Sequence, residues 1–171
     1  TAEVEVGTEL QFFKNRIGLD IAFFNRNSTD LIVQATIPSS SGFGSKQTNA
    51  GKINNKGLEI GLNLVPIKLK NGFTWNSFVA FTQLRSKVID AGTGGELFLG
   101  GTGLSSLGTM HRNGFPFGMI YGSRIARDDE GNYLINPTTG LTIINQVSEI
   151  LANPAPKFTV GWTNTFTYKA F

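Results

Sequence analysis

Polar and apolar residues alternate with a period of two over five long stretches of the chain, which is the mark of strands whose two faces meet different surroundings. In residues 3–13, EVEVGTELQFF, one face carries Val4, Val6, Thr8, Leu10 and Phe12, and the other Glu3, Glu5, Gly7, Glu9 and Gln11. Residues 16–26 set Ile17, Leu19, Ile21 and Phe23 against Gly18, Asp20, Ala22 and Arg26. Residues 56–65 set Leu58, Ile60, Leu62 and Leu64 against Gly57, Glu59, Gly61 and Asn63, and Pro66 ends the run. Further strands are predicted near 73–83, where Phe73, Trp75, Val79 and Phe81 alternate with small or polar residues and Phe78 is the exception, and near 157–168, where Phe158, Val160, Trp162, Phe166 and Tyr168 oppose Thr and Gly.

The connections are as informative as the strands. Only Lys14 and Asn15 need separate the first two, so opposite residues sum to 29: Phe12 faces Ile17, Leu10 faces Leu19, Thr8 faces Ile21 and Val6 faces Phe23. That register also sets Glu3 against Arg26, and Glu9 against Asp20, a like-charge pair that a hydrated face tolerates. A short KLKNG turn joins the third and fourth strands, whereas 27–48 and 86–156 are expected to be long loops, the first holding a β-branched run, LIVQATI, readable as a hairpin arm before the Ser/Gly-rich SSSGFGSKQTN. The second is too long to lack structure. It is expected to hold short strands of its own, such as Tyr133–Ile135 against Leu141–Ile144 around the Asn136–Gly140 turn.

These features predict an all-β fold: an antiparallel meander of about five long strands with loop hairpins, forming part of a transmembrane β-barrel. Segments of about 10 to 12 residues suit the roughly 9 to 11 that a tilted strand needs to cross a bilayer, and soluble strands average nearer five or six. Short turns on one side and long loops on the other are a barrel pattern. Phe12, Phe73, Trp75, Phe166 and Tyr168 fall near the short-turn side, where an interfacial girdle would lie, and Trp162 lies deeper. The membrane-facing aromatics are expected to be Phe12, Phe23, Trp75, Phe81, Trp162 and Phe166. A soluble, secreted or periplasmic carbohydrate-binding β-sandwich is the alternative, since its strands alternate too. Five strands cannot close a pore, and an open sheet in lipid would leave two unpaired edges. The remaining strands are therefore expected elsewhere in a longer protein, and the start, TAEVEVG, is neither a signal peptide nor an initiator Met. Alone, the apolar face, including Val4, Leu10, Leu19, Leu58, Leu62, Val79, Phe81 and Val160, is expected to be covered by another copy or by detergent.

Composition agrees with strands and turns. Of 171 residues only 16% are charged, 21 are Gly, and 14 Phe stand beside 3 Tyr and 2 Trp. A mean hydropathy of −0.04 is what alternating strands average to. The net charge of +3 comes from scattered Lys and Arg, with no basic run to track phosphates, so nucleic acid is not an expected partner. Without Cys there is neither a disulfide nor a thiolate metal site.

The chemistry-bearing residues do not assemble a catalyst. Glu5 and Glu9 share a face but lie about 13 Å apart at 3.3 Å per residue, beyond the roughly 5 to 9.5 Å that glycoside hydrolysis uses. His111, the single histidine, supports neither a Ser-His-Asp arrangement nor a multi-His metal site, and it is expected in a loop. Asp128, Asp129 and Glu130 lack the spacing of a calcium loop and read as a solvated hairpin turn. No catalytic residue, metal site or cofactor is expected. Phe115, Phe117, Tyr121 and Tyr133 are the substrate-binding candidates, since exposed rings can stack on sugars, although they would equally pack a loop.

Several strings taken together, EVGTELQFFKNRIGLDIAFFNRNSTDLI, NAGKINNKGLEIGLN, NGFPFGMIYG and NPAPKFTVGWTNTFTYK, resemble the late-barrel region of the SusC/RagA family of TonB-dependent outer-membrane transporters. The most specific pieces are the NAG…NKG-E string at Asn49–Glu59, the run Pro116–Gly122 and the NP-x-P at Asn153–Pro156. The resemblance covers nearly the whole chain. It implies a 22-stranded barrel in a Gram-negative, Bacteroidetes-like outer membrane, plugged by an N-terminal domain, energised by TonB, and capped by a SusD-like surface lipoprotein that delivers glycans or peptides. Plug, TonB box and final strand are expected outside these residues. Membrane lipid is the remaining implied partner.

Overall fold

The computed structural model describes residues 1–36, 39–92, 94–101, 107–145 and 147–169. Among the described residues nine antiparallel strands make two sheets. The larger follows the order β1-β2-β3-β4-β9, with β1 at Ala2–Phe12, β2 at Ile17–Thr36, β3 at Ser45–Lys68, β4 at Phe73–Asp90 and β9 at Thr159–Tyr168. The smaller follows β5-β6-β7-β8, with β5 at Glu96–Gly101, β6 at Leu107–Arg112, β7 at Met119–Gly122 and β8 at Glu149–Ala152.

The chain divides into two compact units, one of Thr1–Ser28, Asn54–Ser86 and Pro156–Phe171, the other of Thr29–Ile53 and Lys87–Ala155. In the first unit β1 and β2 pair in the register read from the alternation, from Ala2↔Asn27 through Val6↔Phe23 and Leu10↔Leu19 to Phe12↔Ile17. The connection, however, spans four residues, Phe13–Arg16, and not two. Phe13, Lys14 and Asn15 all adopt positive φ, and the Arg16 N–H donates to the Phe12 carbonyl. Positive φ at consecutive turn positions matches the right-handed twist of the strands it joins.

Three strands are longer than the alternation indicated: β2 has 20 residues, β3 has 24 and β4 has 18. The stretch 27–48, expected as a loop with a separate hairpin arm at LIVQATI, instead continues β2 over 27–36 and opens β3 over 45–48, and 86–156 opens with the end of β4. The apolar periodicity stops before the backbone pairing does. Beyond Phe23, Leu58 and Phe81 the same face carries Asn25 and Asn27, then Lys56 and Asn54, then Gln83 and Arg85. There the Asn54 amide donates to the Asn25 and Asn27 side-chain carbonyls at 2.6 and 2.9 Å. Ladders continue under polar side chains because main-chain bonding needs no apolar face.

Burial separates the units. Among the described residues the buried apolar side chains, Val88, Ala91, Leu97, Met110 and Met119, all belong to the second unit. In the first only Gly57 and Ser77 are buried, and β1 and β9 are exposed along their whole length. A sandwich would have interlocked its Leu and Val residues in a core, so that alternative is corrected: the long strands form an open, two-faced sheet.

The second unit is organised by its own hydrogen bonds. The Asn113 side-chain carbonyl accepts from Ala91 N–H at 2.7 Å, and Val88 exchanges main-chain bonds with Phe115 and Gly114. Residues 124–145 form the hairpin predicted around Asn136–Gly140, with Ile135 opposite Thr142, and a third segment joins it. Ala126 N–H donates to Ile143, Ile143 to Leu134 and Leu134 to Ala126, which closes a ring of three main-chain bonds.

Candidate functional site

The polar face of the first unit carries the residues that the alternation assigns to it. Register places Glu3 beside Arg26, and the two are ion-paired. Glu9 stands opposite Asp20, both exposed, and accepts a hydrogen bond from the Gln11 amide at 3.0 Å. Phe24 interrupts this polar row. Its ring lies under the Arg26 guanidinium, 5.8 Å from it, and over Gly57, where a Cβ would come within 2.2 Å of the ring. Covering a strand glycine with an aromatic ring restores the contact its missing side chain leaves out. Gly57 is thus the residue whose smallness lets Phe24 lie flat.

On the other face all six aromatics expected there share the apolar side. Phe12, Phe23, Trp162 and Phe166 are 46%, 50%, 69% and 62% exposed. Trp75 stacks on Phe166 with centroids 5.7 Å apart, and Phe81 on Phe158 at 5.8 Å. One polar pair cuts across this face, because register puts Ser77 opposite Asn164. The Trp162 indole N–H donates to Ser77 Oγ at 2.9 Å and the Trp75 indole N–H to Asn164 Oδ1 at 3.0 Å. An indole brings its own donor, so Trp162 satisfies Ser77 Oγ on the apolar side of β4 and β9. Trp162→Phe and Ser77→Ala, singly and together in the intact barrel, are expected to show a coupling of about 0.6 to 1.7 kcal/mol in urea unfolding from vesicles. Strict additivity would mean that the bond contributes nothing.

Of the four residues predicted to meet substrate, Tyr121 lies on β7, and each ring has another side chain against it. Phe117 packs on His111 with ring centroids 4.0 Å apart, and Tyr121 meets Phe98 edge-on at 5.9 Å. Phe115 lies beside Arg112, 5.6 Å from its guanidinium. Tyr133, 52% exposed, carries the Arg127 guanidinium 4.0 Å above its ring. His111 is not a loop residue: it lies on β6, buried, with Nε2 unbonded, and desolvation pushes its pKa below the ordinary 6.5. Burial disfavours the imidazolium, so the ring is neutral at pH 7. Asp128 shapes its turn by accepting from the main chain of Asn132 and Glu130 at 2.8 and 3.0 Å and from the Asn132 amide at 3.1 Å. Those bonds, the ones from Asn132 foremost, hold its pKa below 3.8. No grouping of three His, Cys, Asp or Glu able to hold a metal occurs among the described residues.

The polar face of Glu, Asp, Gln, Thr and Gly, backed by an apolar one, is chemically suited to contact a hydrated solute. Comparison with known proteins agrees in kind. A family model described as TonB dependent receptor-like, beta-barrel matches residues 2–169. A TonB-dependent receptor of Formosa agariphila is 24% identical over 195 residues, covering 99% of this chain and 19% of the relative. The TonB-dependent receptor SusC of Bacteroides thetaiotaomicron is 25% identical, covering 100% and 18%. A solved structure of the RagAB peptide transporter superposes with a TM-score of 0.74 at 20% identity, over 98% of this chain and 19% of that one. The chain thus spans about a fifth of the length of these proteins.

Proposed function

Since the chain belongs to the TonB dependent receptor-like β-barrel family, an outer-membrane family of transporters and receptors, we propose that its long strands are an arc of the wall of a nutrient transporter in a Gram-negative, Bacteroidetes-like outer membrane. One observation carries this reading: a sheet of barrel length with an exposed apolar face, no apolar core of its own, and carboxylates, amides and hydroxyls on the reverse. The apolar face meets lipid and the reverse lines the permeation path. The parent protein is no enzyme; it takes up cargo through TonB.

The proposed cargo is a glycan or oligosaccharide, with a peptide as the alternative. The half-exposed ring of Tyr133 and the polar, hydroxyl-bearing face of the long strands support it. A SusD-like lipoprotein is the proposed lid. The exposed apolar side chains Leu134, Ile135, Leu141 and Ile144 of the 124–145 segment support a docking surface there. Protease added to whole cells is expected to cut the intact protein within residues 90–150. Cleavage there only after lysis would reject the orientation and, with it, the transporter reading.

A further inference from the structure

The end of the first unit that carries the short turns has a charge pattern which the transport reading does not use. The sheet order β1-β2-β3-β4-β9 brings together the Phe13–Arg16 turn, the residues 69–72 that join β3 to β4, and the end of β9. Val65 N–H donates to the Arg16 carbonyl at 2.8 Å, which ties the first turn to β3, and Lys169 N–H to the Gly72 carbonyl at 3.4 Å, which ties the end of β9 to the second turn. This end presents Lys14, Arg16, Lys68, Lys70 and Lys169, all exposed. No Asp or Glu occurs in residues 10–19, 60–89 or 150–171. Among the described residues no carboxylate pairs with any of the five, whereas Arg26, Arg112 and Arg124 each have one.

The cations alternate with apolar side chains that are themselves exposed. Phe13 is 75% exposed, Leu69 53% and Tyr168 46%, and the Lys169 ammonium lies 5.2 Å from the Tyr168 ring. Arg16 forms part of an open groove of about 390 Å³ whose other walls are Phe13, Ile17, Leu64, Val65 and Pro66. A guanidinium on an apolar groove, with Lys14 next to Phe13 in the chain and Lys68 two residues past Pro66, has the polarity of a phosphodiester joined to an acyl chain.

From this placement we infer that the short-turn rim is a binding collar for anionic phospholipid in the leaflet around it. The phosphate meets Arg16 and the neighbouring lysines, and the acyl chain lies along the groove. The inference rests on the membrane reading above. A basic residue held near an anionic lipid surface strengthens association about fivefold, and five unneutralised cations give the collar a preference for anionic over zwitterionic headgroups.

The test uses the intact parent protein in a mild detergent, offered equal amounts of phosphatidylglycerol and phosphatidylethanolamine and examined by native mass spectrometry. Retained phosphatidylglycerol is expected to exceed phosphatidylethanolamine roughly tenfold, and raising the salt from about 0.05 to 0.5 M should shrink that excess. The variant K14Q/R16Q/K68Q/K70Q/K169Q should bring the ratio near one, while K14R/K68R/K70R/K169R keeps it. If the five-site variant does not fold, R16Q alone and the salt dependence of the unaltered protein decide. A ratio near one in the unaltered protein overturns the collar, as does a ratio that neither salt nor R16Q moves. Lost uptake with an unchanged lipid ratio overturns it too, and assigns the cations to an acidic protein. Heat-modifiable gel mobility after insertion into phosphatidylethanolamine vesicles keeps the two readings apart: without insertion the membrane reading itself fails, and with insertion but no headgroup preference only the collar does.

Discussion

Val79→Arg in the intact barrel is expected to cost about 2–4 kcal/mol of folding stability, the range for a cation placed near the midplane of the lipid-facing side, whereas Thr163→Arg is expected to stay within about 0.5 kcal/mol. The two positions lie at almost the same depth: Val79 pairs with Trp162, and Phe78 with Thr163. They differ in the face from which the side chain leaves the sheet, so depth and local strand pairing cancel in the comparison. Thr163 is exposed on the side shared with Thr159, Gly161 and Thr165, where an added guanidinium keeps its water. Urea titration of the protein refolded into vesicles measures both. Equal losses, or a greater loss at Thr163, would show that the assignment of lipid and water to the two faces is inverted or absent.

What the sequence disclosed depended on which physical signal wrote it. The β1–β2 register could be read because burial in lipid acts on alternate side chains, and a slip of one residue would turn Val6, Leu10, Leu19 and Phe23 to water. The continuation of β2 to Thr36 and of β3 back to Ser45 could not. Over residues 25–30 and most of 45–56 both faces are polar, while Leu31, Ile32 and Val33 run without alternation, and main-chain hydrogen bonds, which hold the strands there, leave no periodic trace in side-chain type. Ser77 and Asn164 are polar residues on the apolar side of β4 and β9, and only the pairing of those distant strands reveals that each receives an indole N–H. The candidate site fared similarly. The aromatic content of the loops was evident from composition, but which rings are spent on packing, as Phe117 is on His111, depends on the contacts between β6 and the turn after it. His111 itself could not be placed, since a lone histidine carries no period.

Gly57→Ala is the second substitution expected to act strongly, and it tests why a glycine sits in the middle of a long strand. Glycine there sacrifices packing and ordinarily weakens a strand, so replacing it by Ala would normally help. Here the added Cβ would lie 2.2 Å from Phe24 Cζ and 2.3 Å from Cε1, so the ring must leave its position, and Arg26 would lose the face it lies over. Overpacking of this kind costs about 1–3 kcal/mol. Removing the ring should relieve the clash. Phe24→Leu in the Gly57→Ala background is expected to recover most of the loss, although Phe24→Leu alone is destabilising, a sign reversal that independent sites do not show. Vesicle unfolding of the four proteins in the cycle decides the matter. If Gly57→Ala is neutral or stabilising with Phe24 intact, the ring does not lie on the glycine, and the smallness of residue 57 has another cause.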